Sequence, residues 1–239
     1  HRVHKAGAVH ADQRATSDRA RDGVHALDGA EGAVGEHEPA RVHGVVVEDA
    51  QRLVDEVLAQ GEIEAVAAIA EAFPTRVFPR AVGIKQPDAR KLVDYGAMVF
   101  NAIGPDNPLR QRIMAKAPDI VPWINEQCDR AQLTEDGIGA TIYAATDTGE
   151  IGEAEAGMLI RSLLSAGVDT TVSGIGSALW CLAQYPEQFQ QLRADPAKRA
   201  GPAFEEALRF CTPVQAFFRT AADTTTVGGV EIEEGTKIL

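Results

Sequence analysis

Apolar side chains recur every three or four positions over most of the chain after residue 44. Val46, Leu53 and Val57 start the pattern, and this spacing places them on one face of an α-helix. The same periodicity returns in several later segments, and the segment from about Glu153 to Tyr185 is long. The pattern therefore predicts a chain that is mainly α-helical.

Prolines and glycines set the predicted helix ends, because proline lacks the backbone donor that a helix interior needs. One helix is expected to stop at Pro74, and another is expected to begin near Pro79. A longer helix from about Pro108 to Gln127 is expected to break or bend at its internal prolines. The remaining predicted boundaries are Gly104-Pro105, Pro118, Pro122, Thr148-Gly149 and Gly201-Pro202.

The C-terminal end of the chain has a different pattern. Two runs rich in β-branched residues flank Gly228-Gly229, and a second turn is predicted at Glu234-Gly235. Two glycines between such runs are a strong signal for a β-hairpin. The predicted fold is therefore mainly α, with a small β element near the C-terminus.

Residues 1–43 differ in composition from the rest of the chain. They contain all six histidines and a single leucine, Leu27, but no Ile, Phe, Tyr, Trp, Met or Cys. Such a stretch cannot bury enough apolar surface to offset its ordering entropy. Two interpretations stand, a disordered tail or an out-of-frame translation of GC-rich DNA, and the second is favoured. The predicted organisation is an unrelated segment, 1–43, followed by the folded part, 44–239.

Charge and cysteine content exclude some classes of partner and site. The chain has 239 residues and a net charge of −12, which argues against nucleic acid or an anionic membrane surface as the main partner. No apolar run has the length of about 18 residues that a membrane span needs. Cys128, Cys181 and Cys211 are far apart and include no CxxC pair, which argues against a disulfide framework or a zinc site. A cytoplasmic location is the simplest expectation.

The long helical segment contains residues that are poor helix formers, LLSAGVDTTVSGIG at 163–176. The Thr170 hydroxyl can bond the Ala166 carbonyl, and Gly167 lets another group approach the backbone. These features predict a locally loosened helix, buried almost all round, that faces a cavity beside an acid and an alcohol. The alternative is close packing of helices through small residues, with Asp169 capped by its neighbours. At helical spacing the small and polar residues share one stripe, comprising Ser162, Ser165, Ala166, Asp169, Thr170 and Ser173.

Three motifs in this sequence resemble those of the cytochrome P450 monooxygenases. AGVDTT, at residues 166–171, resembles their oxygen-activation motif. FEEALRF places Glu206 and Arg209 at the spacing of the family's Glu-x-x-Arg helix, and FFRT places Arg219 where bacterial members hold a haem propionate. A guanidinium suits that group because it offers paired donors in a plane. On this resemblance, residues 44–239 are expected to form the central part of the cytochrome P450 fold, as an incomplete domain.

The resemblance implies a role for each matching residue. Asp169 and Thr170 would supply and steer protons, while Ala166, Gly167 and Arg219 would contact haem b. Glu206 and Arg209 would be structural. Stretches such as VFNAIGP and TPVQAFFRT are similar to bacterial members that oxidise para-substituted benzoic acids, so the expected substrate is a small aromatic carboxylic acid that is hydroxylated or O-demethylated with O2. Its implied contacts are Phe100, Ile103, Arg161, Ser162, Ser165, Val214 and Phe217.

The resemblance also implies electrons from a ferredoxin and its reductase. The family's haem-ligating cysteine loop has no counterpart in the sequence, and none of the three cysteines has its sequence context. No metal ligand is therefore assigned, and this chain alone is expected to be inactive. The alternative from another class is a non-catalytic helical scaffold or interaction domain, which explains the helices but not the order of the three motifs.

Overall fold

The computed structural model describes residues 37–238, with side chains from residue 42. This part divides into a helical unit that ends at Pro213 and a β unit that begins at Val214. Helix α1 (His37–Gln60) begins at His37, so its first turns lie inside the segment predicted to be unrelated to the fold. Residues 1–36, where the rest of that prediction falls, lie outside the described residues, and the boundary at residue 43 stays a prediction.

The helical unit confirms the predicted mainly α fold. Two predicted boundaries, at Gly104-Pro105 and Thr148-Gly149, are confirmed, because α3 (Ala89–Ala102) and α6 (Ile138–Asp147) end just before them. Within the described part, no helix combines the length and apolar character needed to cross a membrane. The α-helices are α1 (His37–Gln60), α2 (Ala72–Val82), α3 (Ala89–Ala102), α4 (Pro108–Met114), α5 (Ala117–Gln127), α6 (Ile138–Asp147), α7 (Glu153–Gln184), α8 (Pro186–Ala194) and α9 (Pro196–Cys211), with a π-helical stretch at Val66–Glu71 and a 3-10 turn at Arg130–Gln132.

Two proline predictions near α2 are wrong. Pro74 does not stop a helix and Pro79 does not begin one, since both lie inside α2. Both rings are almost fully buried, and this burial offsets the backbone hydrogen bonds that proline removes from a helix. The Thr75 hydroxyl also donates to the Glu71 carbonyl at 2.7 Å. The helix ends instead at Gly83, whose φ of 95° suits a glycine.

The other proline predictions are partly correct. The segment 108–127 is broken as expected, but at residues 115–116, between α4 and α5. Pro118 lies in the first turn of α5, where a helix needs no N–H donor, and Pro122 lies within α5. The predicted division at Gly201-Pro202 is wrong, because α9 runs through it and Asp195 separates α8 from α9. Packing of α9 against α7 outweighs the local helix breakers.

Helix α7 is the central element of the helical unit. It has 32 residues and contacts α2, α3, α6, α9 and the π-helical stretch. A Cβ added at Gly174 would lie 3.0 Å from the Phe204 ring, so the glycine lets α9 approach closely. Its buried stripe has a four-residue spacing, which turns one side of the helix to the core. The stripe comprises Ala156, Ile160, Leu164 and Val168, each at most 1% exposed.

The β unit, residues 214–238, contains two antiparallel pairs of strands. Strand β1 (Arg219–Thr220) pairs with β4 (Lys237–Ile238), and β2 (Thr225–Val227) pairs with β3 (Val230–Ile232). Gly228 and Gly229 connect β2 to β3 with φ values of 58° and 83°, as the predicted hairpin turn requires. The predicted turn at Glu234-Gly235 is also present, since Gly235 has a φ of 83°.

Candidate active site

The hydroxyl groups on the motif face of α7 bond within the helix. Thr170 Oγ1 donates to the Ala166 carbonyl, which confirms the predicted bond to the preceding turn. Ser162 Oγ donates to the Met158 carbonyl at 2.9 Å, and Ser165 Oγ donates to the Ser162 carbonyl at 3.0 Å. Because these hydrogens are used inside the helix, the hydroxyl oxygens remain available as acceptors.

The motif face of α7 is more open than the sequence indicates. Ser162 and Ala166 are exposed, and Thr170 is half-buried. Met158 is 41% exposed and Leu163 39%, so the prediction of a helix buried almost all round is wrong. The α-helix also continues through the motif, so the predicted local loosening is not seen. What remains is a shallow strip of small side chains, Ser162, Ala166 and Thr170, at four-residue intervals, which we call the α7 strip.

Gly167 gives room to an aromatic ring from α2. A Cβ added at Gly167 would overlap the ring of Phe78, so only glycine leaves space for the ring at this depth. The close approach predicted for Gly167 is therefore present, but the group that approaches is a side chain of the protein itself. The predicted contact between Gly167 and a cofactor stays a prediction.

Asp169 lies against the backbone of α3. A Cβ added at Gly96 would lie 2.8 Å from the Asp169 Cβ, so the Asp169 side chain packs directly on the Gly96 backbone. Asp169 is half-buried, and burial raises the pKa of its carboxyl above the ordinary value. No charged group or hydrogen bond of the described residues offsets this effect. The close packing of helices through small residues that the alternative predicts is therefore present at Gly96 and Gly167, whereas the capping of Asp169 that it also predicts is not seen among the described residues.

A polar cluster between α3, α5 and α7 includes two residues that the sequence did not predict. The Arg161 guanidinium donates to Asn125 Oδ1 at 2.9 Å. Tyr95 is buried, and this burial raises the pKa of its phenol, while the Arg161 charge and the Ser165 hydroxyl oppose the rise. Tyr95 and Asn125 thus share their surroundings with two predicted substrate contacts. Both residues are far from Arg161 in sequence, so no local pattern indicates that they are its neighbours. The apolar periodicity of α3 is the one signal that could have predicted that Tyr95 faces the core.

The residues predicted to form an apolar slot are distributed over both units. Phe100 is half-buried on α3, and Ile103, just beyond that helix, is 73% exposed. Val214 and Phe217 belong to the β unit and are 41% and 59% exposed. Two cavities in the helical unit, of about 490 and 460 Å³, are lined by other residues. The slot therefore stays a prediction.

Arg219 stacks on Phe217 within the β unit. The guanidinium carbon lies 4.9 Å from the centroid of the Phe217 ring, within the range of a cation–π contact. Arg219 Nη1 also donates to the Phe218 carbonyl at 3.0 Å. Because a guanidinium has five N–H donors and the side chain is exposed, Arg219 keeps donors for an anion.

The predicted pair of Glu206 and Arg209 is present on α9. Arg209 Nε donates to Glu206 Oε2 at 2.7 Å, and Arg209 Nη2 donates to Glu206 Oε1 at 2.6 Å. This two-pronged bond lowers the pKa of the Glu206 carboxyl and raises the pKa of the Arg209 guanidinium. The side chains are 62% and 68% exposed, respectively, so solvent screens the pair.

The three cysteines occupy two different environments. Cys128 is buried in the core, where burial raises the pKa of its thiol to about 12. Cys181 Sγ lies 3.6 Å from Cys211 Sγ. The two residues are far apart in sequence, so this proximity could not be predicted. The described part of the chain holds no group of three His, Cys, Asp or Glu side chains placed to bind a metal ion.

Comparison with known proteins identifies curated relatives that match most of this chain. No protein-family model matches the chain. Cytochrome P450 CYP199A2 of Rhodopseudomonas palustris is 50% identical over 187 residues, which cover 78% of this chain and 45% of the relative. Cytochrome P450 144 of Mycobacterium tuberculosis is 30% identical over 196 residues, which cover 81% of this chain and 45% of the relative. The chain thus spans about half the length of these curated relatives.

Solved structures show the same fold. P450BioI, in complex with an acyl carrier protein ligated to hexadec-9Z-enoic acid, matches with a TM-score of 0.68 at 24% identity, over 85% of this chain and 53% of that protein. Cytochrome P450epoK with bound epothilone D also has a TM-score of 0.68, at 22% identity, over 85% of this chain and 54% of that protein. At these identities the likeness concerns the fold alone.

Proposed function

Because the chain belongs to the cytochrome P450 family, we propose that it forms part of the catalytic domain of a haem-dependent monooxygenase that oxidises small aromatic carboxylic acids. One observation carries this proposal. Thr170 lies half-buried on the α7 strip, and the preceding residue, Asp169, is a half-buried acid with a raised pKa. An alcohol and an acid with a raised pKa thus occupy adjacent positions on the central helix. A purely structural scaffold does not need this arrangement.

Each unit, taken by itself, has residues that fit a part of a haem group. In the helical unit, the α7 strip provides the face without long side chains that a flat ring needs, with Ser162 and Ala166 exposed. In the β unit, Arg219 has unused donors for a propionate. In this family, a cysteine thiolate holds the haem iron. Cys128 is too deeply buried for that role, and the other two cysteines lie against each other, so the iron ligand is proposed to come from residues outside this sequence.

When bound, the haem would supply the activation of O2. The protein's own contribution is to position and deliver protons. The raised pKa keeps Asp169 protonated to higher pH than an ordinary aspartate, which suits a proton donor. Thr170 donates its own hydrogen to the Ala166 carbonyl, so its oxygen is oriented to accept a hydrogen bond from a protonated group on the α7 strip.

The polar cluster around Arg161 is proposed to select a carboxylate substrate. The guanidinium is held by Asn125 and lies near Tyr95 and Ser165, so a positive charge and two hydroxyl groups occupy one region of α3 and α7. Ser165 donates to the Ser162 carbonyl in this structure, and it would rotate to donate to a bound carboxylate. Phe100 on the same helix as Tyr95 would contact the aromatic ring. Electrons are proposed to come from a ferredoxin and its reductase.

The substrate class can be tested in a chimera. The 187 residues that match the Rhodopseudomonas palustris relative would replace their counterparts in it, and the haem absorbance would be recorded during titration with para-methoxybenzoate. Loss of a hydrogen bond to a charged group corresponds to roughly tenfold weaker binding, which we expect for the neutral amide of the same acid and for the Arg161→Ala variant. Equal affinity for the acid and its amide would overturn the proposed substrate class.

A further inference from the structure

Cys181 and Cys211 form a thiol pair that the proposed function does not use. Their sulfur atoms lie 3.6 Å apart. Cys181 is in the last turn of α7, and Cys211 is the last residue of α9. A disulfide bond is about 2.05 Å long, so the two sulfurs need to approach by only about 1.5 Å to form one.

Both helix ends that carry the thiols are fixed by their own hydrogen bonds. The Tyr185 amide donates to the Cys181 carbonyl at 2.9 Å, and the Thr212 amide donates to the Leu208 carbonyl at 2.8 Å. The rings of Tyr185 and Phe210 then meet edge to face, with centroids 6.2 Å apart. The short distance between the thiols is therefore a property of the packing of α7 against α9.

The pair can be reached from outside the protein. Cys181 lines an open cavity of about 490 Å³ between the end of α7, α8 and α9. Both thiols are half-buried, whereas Cys128 is only 2% exposed. A small reagent can therefore contact Cys181 while Cys128 stays protected by the core.

We propose that Cys181 and Cys211 are a modification site at which a low-molecular-weight disulfide converts the two thiols into an intramolecular disulfide. The Cys181 sulfur, as its thiolate, attacks one sulfur of the reagent, which breaks the reagent's S–S bond and releases one thiol. The Cys211 sulfur then attacks Cys181 in this mixed disulfide and releases the second thiol. Two protein thiols are oxidised, and one reagent disulfide is reduced to two thiols that carry the two protons.

The reaction depends on proximity rather than on an activated thiol. Burial and the neighbouring Cys211 raise the pKa of Cys181, and the Glu206 charge contributes in the same direction. The first attack is therefore slow compared with that of an activated cysteine. The second attack is fast, because Cys211 already lies beside the mixed disulfide. The inference rests on the packing of α7 and α9 and does not depend on the proposed enzymatic activity.

The test uses the full, reduced chain and oxidised 2-mercaptoethanol, a small neutral disulfide. We expect an intact mass that is lower by two hydrogens, a peptide map with Cys181 linked to Cys211, and one titratable thiol, Cys128, remaining of the three. In Cys211→Ser the reaction should stop at a stable mixed disulfide on Cys181. The Cys128→Ser variant, as the matched control, should still form the link.

A second arm repeats the oxidation in concentrated guanidinium chloride. If the fold sets the pairing, links that include Cys128 should appear only in the denaturant. The proposal is overturned if the native chain accumulates mixed disulfides, forms links to Cys128, or keeps its mass. It is equally overturned if the native and denatured chains give the same distribution of links.

Discussion

Gly96 on α3 and Asp169 on α7 are in direct contact, and a Cβ at Gly96 would lie 2.8 Å from the Asp169 Cβ. The position of the acid therefore depends on the absence of a side chain on a neighbouring helix. In the same way, the position of the Phe78 ring on α2 depends on the absence of a side chain at Gly167. The motif segment of α7 is thus held between two glycine contacts, with the acid on one side and an aromatic ring on another.

Substitution of Gly96 tests the first contact. Gly96→Ala adds a methyl group where Asp169 already lies, and overpacking of this kind costs about 1–3 kcal/mol of folding free energy. Gly176→Ala is the matched control, because a Cβ there would meet only the Ala70 Cβ at 4.0 Å. We expect this control to gain about 0.5–1 kcal/mol from helix propensity. Denaturant unfolding measures both changes, and equal effects would contradict the contact.

Substitution of Gly167 tests the second contact. Gly167→Ala places a methyl group inside the space of the Phe78 ring, so the free energy of unfolding should fall by about 1–3 kcal/mol or more. Phe78→Leu alone should also destabilise the fold, but the double variant should lose less than the sum of the single losses. Strict additivity in this double-mutant cycle would show that the two residues do not compete for one space.

The stability of the chain should depend on the ionisation of Asp169. Burial raises the pKa of this carboxyl in the folded chain, so the folded state binds its proton more tightly than the unfolded state does. This contribution to stability is present below the ordinary value of 3.8 and is lost as the pH rises through the folded pKa. Asp169→Asn should remove this pH dependence, as measured by unfolding curves from acidic to neutral pH. Asp94→Asn, a change at a different aspartate of the helical unit, should leave the effect of Asp169 in place.

The pair of Glu206 and Arg209 should contribute little to the stability of this chain. Both side chains are exposed, and exposed ion pairs are weak because water and salt screen them. Arg209→Ala should therefore shift the unfolding midpoint only slightly, and the shift should shrink further at high salt. A large, salt-independent loss of stability would show that the pair is shielded from solvent.

The sequence predicts those helices and turns that a local residue pattern specifies. Helix α7 and the hairpin at Gly228-Gly229 were predictable because their patterns span many residues or use a specific turn. The helix boundaries predicted at Pro74 and Pro79 are wrong because both rings are buried in the core. The local sequence does not indicate this burial. The openness of the motif face was also missed, because the exposure of Leu163 depends on which elements cover α7.

The site was predictable where its residues are neighbours along one helix. The bond from Thr170 to Ala166 and the ion pair of Glu206 and Arg209 follow from helical spacing. Contacts between helices were not predictable, because no pattern within one helix indicates its partner. Gly96 beside Asp169 and the proximity of the two half-buried cysteines are both of this kind.

Product formation by the chimera described above tests the central claim most directly. The chimera would receive haem, O2, an electron source and para-methoxybenzoate, and the oxidised product would be quantified. The account predicts product, a rate about 100-fold lower when Thr170→Ala removes the hydroxyl, and a largely retained rate in Thr170→Ser. A chimera that binds haem and the acid but forms no product, or a Thr170→Ala variant that is as fast as the parent, would contradict it.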